Sequence, residues 1–142
     1  MKLVEEVKDT KGQDSADGMV GTLVAEMLNA STVTHKLHLK ITGPASYARH
    51  IALNEFYDGI KGLADDLAEQ YQGHKLILLE TQEAPMASTD LKGLEDCMEY
   101  LDSLYMLTHN TQKVMTCSSI INEMDNIKAL INSTKYKLHF LS

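Results

Sequence analysis

Arginine, proline and cysteine are scarce in this chain, and tryptophan is absent. Arg49 is the one arginine among 13 basic residues. With a single guanidinium there is little means of bidentate phosphate or guanine recognition, so autonomous DNA binding is disfavoured. Cys97 and Cys117 lack a C-x-x-C spacing and are too few for a disulfide framework, which points to a reducing compartment. No apolar run approaches the roughly 20 residues needed to span a bilayer. The opening residues, MKLVEEVKDTKGQD, are too charged for the core of an export signal. A soluble, cytoplasmic protein without membrane contact is therefore expected. The absence of G-x-S-x-G and of a Gly-rich loop sets aside serine-hydrolase and nucleotide-binding chemistry. Two prolines in 142 residues leave long stretches free to be helical.

The composition that remains is that of a globular protein. Hydrophobic residues make up 44% and charged ones 23%, and the length fits one domain with one core. Acidic residues outnumber basic ones 20 to 13, for a net charge of -7. Such a balance suits solubility or a surface that attracts cations.

Residues 1–17 are charged and mixed in sign, and read as a mobile N-terminal arm before a bundle over 18–142. From 18 to 40, Val20, Leu23, Val24, Met27 and Leu28, with Ser31, Thr34 and His38, repeat at the helical period and predict a first helix. Gly43 should stop it. Pro44 should open a second helix that ends at Gln72 before Gly73. The segment 73–88, with its LILL run and Pro85, breaks the pattern and reads as a crossover. Ser88 or Thr89 should cap a third helix with an inner face of Leu91, Leu94, Met98, Leu101 and Tyr105. After a reset near His109, a fourth helix should carry Val114, Cys117, Ile121, Met124, Ile127, Ile131 and Leu138. The expected fold is all-α, a four-helix bundle with one long crossover between helices 2 and 3, the order of the ferritin-like class.

The second helix has two distinct faces. Leu53, Phe56, Ile60, Leu63, Leu67 and Tyr71 form an apolar stripe that must face the core. His50, Asn54, Asp58, Asp65 and Glu69 form another, nearly opposite. A polar stripe opposite a core face is ordinarily the solvated side of the helix. It becomes a site if a symmetric partner covers it, because Asp65 and Glu69 of one chain could then meet His38 and His50 of another.

The run H-L-K-I-T-G-P-A-S-Y-A-R-H, residues 38–50, resembles the mini-ferritins called Dps. In their motif a histidine is followed by Gly-Pro, a second histidine, and then an Asp and a Glu. His38, Gly43, Pro44, His50, Asp65 and Glu69 fit that spacing. Short Dps-like proteins encoded by tailed phages, with the same pattern and a Y-Q-G ending like Tyr71-Gln72-Gly73, look nearer still, and that resemblance implies fold more than function. The resemblance is close over residues 35–73 and elsewhere rests on helix order. It implies an inter-subunit ferroxidase centre in which His38 and His50 supply imidazole, Asp65 bridges or chelates iron, and Glu69 holds the looser ion. It also implies a two-fold dimer within a hollow dodecamer. Imidazole and carboxylate suit Fe(II), and carboxylate oxygens also hold Fe(III).

The chain departs from the family pattern at two places. Asn54 stands where an acidic ligand is usual and offers an oxygen without charge, Asp58 is the better compensating carboxylate, both would be auxiliary ligands or support the ligands from behind, and Leu39 stands where tryptophan is common. Glu26 and Glu123 could evoke an intra-bundle di-iron site, but Asn126 occupies the place of the histidine that an E-x-x-H pair needs. Lys2, Lys8 and Lys11 are interleaved with acids, so the DNA-binding tail of many Dps proteins is not expected here. His35 lies near the His38 face, while His74, His109 and His139 read as surface residues. The leading expectation is a Dps-like iron-binding protein that oxidises Fe(II). The alternative is a non-enzymatic bundle serving interaction or structure, with a degenerate or zinc-filled site.

Overall fold

A computed structural model describes residues 14–81 and 83–141. Four helices form among them: α1 (Ser15–Lys40), α2 (Ser46–Lys75), α3 (Leu94–Gln112) and α4 (Ser118–Phe140), with no strand among the described residues. Helix α1 packs on α2 and α3, and α4 packs on the same two, so the bundle is square in section. Its core holds Leu23, Met27, Leu53, Phe56, Ile60, Leu67, Leu101, Leu104, Met124, Ile127 and Ile131. This is the all-α four-helix bundle that the periodicity predicts.

The long connection follows from direction. Helices α2 and α3 run parallel at opposite corners of the bundle, so the chain must return along its whole length between them. It does so against α1. The backbone of Glu80 lies so close to Gly21 that a Cβ there would sit 2.2 Å from the Glu80 carbonyl oxygen. Further along, Glu26 accepts from the Met86 N–H at 2.7 Å and Asn29 donates to the Met86 carbonyl at 3.0 Å. Lys40 then pairs with Asp90 at 3.5 Å.

Several boundaries differ from the sequence-based expectation. Helix α1 starts at Ser15, inside the expected arm. Asp14 and Asp17 close a capping box, Asp17 N–H to Asp14 at 2.9 Å and Asp14 N–H to Asp17 at 3.1 Å. The rest of that arm, residues 1–13, lies outside the described residues. Helix α2 begins two residues after Pro44, because Gly43 (φ 93°) and Ala45 (φ 64°) take left-handed conformations to turn the chain. It passes through Gly73 and ends when Leu76 (φ 55°) becomes left-handed.

Helix α3 starts at Leu94, not after Ser88 or Thr89, because the side chains of α1 hold residue 86 in a turn. Leu91 still reaches the core, from the crossover. The inner face of α3 is Cys97, Tyr100, Leu101 and Leu104, with Leu94, Met98 and Tyr105 beside it. Val114 is exposed in the connection before α4, and Ile120 rather than Ile121 is fully buried. Leu28, expected in the core, is 40% exposed. Helix α1 is covered by α2, α3 and the crossover, which leaves Leu28, Thr32, His35 and Leu39 as its open stripe.

Candidate metal centre

The left-handed turn through Gly43 and Ala45 folds the start of α2 back against the end of α1. It brings the rings of His38 and His50 together edge to face, 4.4 Å between centroids. His38 Nδ1 lies 3.0 Å from the backbone carbonyl oxygen of His50. His50 Nε2 lies 3.0 Å from that of Ile41. A carbonyl oxygen only accepts, so each of these nitrogens carries the hydrogen. In the neutral rings this fixes the tautomers, and the lone pairs fall on His38 Nε2 and His50 Nδ1. Metal-ligating histidines have this arrangement, one nitrogen donating to a carbonyl and the other free to coordinate. Both residues are half-buried.

Around the pair lies an aromatic residue that sequence reasoning passed over. Tyr57 stacks on His35 at 4.1 Å and 12°, and meets His38 edge-on at 5.4 Å. Its hydroxyl donates to Asn54 Oδ1 at 2.5 Å. Its backbone carbonyl accepts from Ser31 Oγ at 2.8 Å, tying α2 to α1 at this level. The available signal was positional: Tyr57 follows His50 by seven residues and so shares its side of the helix.

The carboxylates lie elsewhere. Asp58, Asp65 and Glu69 are exposed along α2, as is Asn54. Fifteen residues of helix separate His50 from Asp65, about 22 Å along the axis. Among the described residues of one chain, no three His, Cys, Asp or Glu side chains converge on a metal position. The imidazole pair and the carboxylate pair thus lie apart on one chain. On the outer surface, Leu28, Thr32, His35 and Leu39 of α1 and Lys61 of α2 line a cleft of about 390 Å³. The crossover adds Leu76, 87% exposed, and Leu78, 58% exposed. Its Ile77 and Leu79 pack inward on the core.

Two carboxylates on α1 are buried in structural roles. Glu26 is fully buried and accepts from the Tyr100 hydroxyl, from Asn29 Nδ2 at 2.8 Å and from the Met86 N–H. With its acceptor positions used in this way, Glu26 serves as the latch of the crossover. Asp17 is buried against Tyr71, whose hydroxyl donates to it, and against Lys75 at 2.9 Å. Burial alone would raise the Asp17 carboxyl. The hydrogen bonds from Tyr71, Lys75 and the backbone outweigh it and hold the group below the usual range. The Cys97 thiol is pushed up to about 12 by burial, as suits an inert core thiol. Cys117, placed by the helical period within the fourth helix, is only half-buried at the N-cap of α4. Of the remaining histidines, His109 accepts from Lys128 Nζ at 2.9 Å and His139 sits edge-on to Phe140 at 4.5 Å.

No curated protein and no solved structure matches the chain. A family model does, over residues 38–138, a span that opens at His38 and takes in His50, Asn54, Tyr57, Asp65 and Glu69. The chain belongs to that family, whose description is a family of unknown function (DUF5856).

Proposed function

We propose that the protein is a Dps-like ferritin that takes Fe(II) as its substrate and oxidises it at sites shared between two subunits. His38 and His50 come from one chain, and Asp65 and Glu69 from its two-fold mate. The observation that carries this reading is the fixed tautomer of both imidazoles, which directs one unshared nitrogen lone pair from each ring away from its backbone carbonyl. The exposed carboxylates on the same helix complete a donor set of nitrogen and hard oxygen, which suits Fe(II) and retains Fe(III). The exposed leucines of α1 and the crossover supply apolar surface for the subunit contact. Dioxygen from solution takes one electron from each of two Fe(II) ions and two protons from water, and leaves as hydrogen peroxide. Dimers of this kind can assemble further into a dodecameric cage.

The neutral amide of Asn54 favours a second reading: an interaction or structural bundle whose site holds zinc, which binds the same ligands without redox chemistry. Aerobic addition of Fe(II) separates the two. The ferritin reading expects Fe(III) to form faster than in buffer and iron to stay with the protein after desalting, both lost in Asp65→Ala. Oxidation at the buffer rate with no retained iron overturns it.

A further inference from the structure

We infer that Tyr57 is a positioning residue that turns Asn54 into a hydrogen-bond donor to a metal-bound carboxylate, so that the shared site holds one divalent ion per chain. The inference rests on the subunit-shared site proposed above and adds its occupancy and the task of two side chains. Tyr57 is held on two sides, by the stack on His35 and by the edge contact with His38. From that fixed ring its hydroxyl donates to Asn54 Oδ1. The Tyr57 hydroxyl takes one of the two lone pairs of the amide oxygen, and the positive end of its O–H dipole opposes a cation at the other. What the exposed amide offers instead is its NH2 group, which donates and therefore matches a carboxylate rather than a metal.

The remaining donors make one shell. His38 Nε2 and His50 Nδ1 bring two nitrogens, and the partner subunit's Asp65 and the partner subunit's Glu69 bring two carboxylates, enough for a single four-coordinate ion. A second ion would need a further anion beside the imidazoles. Asp58 follows His50 by eight residues, about 12 Å along the helix, too far to share an ion with it. Asn54, one turn from His50, is in place but uncharged and occupied by Tyr57.

Co(II) titrated into the full-length protein, with binding followed by calorimetry and by the cobalt absorption bands, tests this without any turnover. The wild type should saturate at one ion per chain. Asn54→Asp, which supplies the missing anion, should saturate at two. Tyr57→Phe keeps the ring but frees the amide to rotate, and should weaken the single site about fivefold. That weakening should vanish when Asn54 is already alanine, which a merely structural role for Tyr57 would not produce. Two ions per chain in the wild type, abolished by Asp65→Ala, would overturn the inference and leave the shared site standing. Binding that Asp65→Ala leaves unchanged would overturn the shared site and the inference with it.

Discussion

Tyr71 and Asp17 show how one hydroxyl can decide the state of a buried acid. Asp17 is held below its ordinary value although burial pushes it the other way, because Tyr71 and Lys75 hydrogen-bond to the ionised form. A carboxyl whose folded value lies below its unfolded value adds stability at every pH above the ordinary carboxylate range. That contribution is lost as pH falls through the folded value. Tyr71→Phe removes a donor and raises the folded value, so acid unfolding, followed by circular dichroism against pH, should begin at higher pH than in the wild type. At neutral pH the variant should lose about 1 to 2 kcal/mol. An unchanged acid transition would mean that the Tyr71 hydrogen bond does not stabilise the charged form.

At the scale of elements, the crossover is fastened to α1 by Gly21, Glu26 and Asn29. Gly21→Ala would place a Cβ 2.2 Å from the Glu80 carbonyl oxygen, so the strap must shift. A loss of about 2 kcal/mol is expected by analogy with overpacked cores. Gly18→Ala is the control, since nothing lies within 4 Å of its added Cβ. It should stabilise α1 by up to about 1 kcal/mol through helix propensity. Thermal melts of opposite sign would support the packing account, and a stabilised Gly21→Ala would contradict it.

The same fastening explains what could be read in advance. The apolar stripe of α2 and the Gly-Pro turn were legible because they depend on local period and backbone. The start of α3 was not, because a side chain 60 residues away holds Met86 in its turn. Tyr57 was missed for a related reason. Its seven-residue spacing from His50 put it on the same side of α2, but its contacts with His35 and His38 cross to α1, and spacing within one helix does not give those. Leu28 satisfied the period of α1 and yet remains exposed, since period alone does not say how many neighbours a helix has.

For the whole molecule, the imidazole pair and the carboxylate pair lie too far apart on one chain to hold the same ion, and only the shared site proposed above would make them complementary halves. Among the exposed apolar side chains, Leu28 and Leu39 on α1 and Leu76 and Leu78 on the crossover suit contact with a second copy. In a two-fold dimer each half would face its complement twice, giving two equal sites. That symmetry makes the arrangement testable by mixing. His50→Ala and Asp65→Ala each abolish every site in their own homodimer. A mixed dimer regains one intact site, built from the histidines of the Asp65→Ala chain and the carboxylates of the His50→Ala chain. The decisive measurement is therefore Fe(II) oxidation by the two variants unfolded together and refolded as a mixture. Sites shared across the two-fold axis predict recovery of about one quarter of wild-type activity from two inactive proteins, since random pairing makes half the dimers mixed. Inactivity of the refolded mixture, with mixed dimers shown to have formed, would contradict a site shared between subunits.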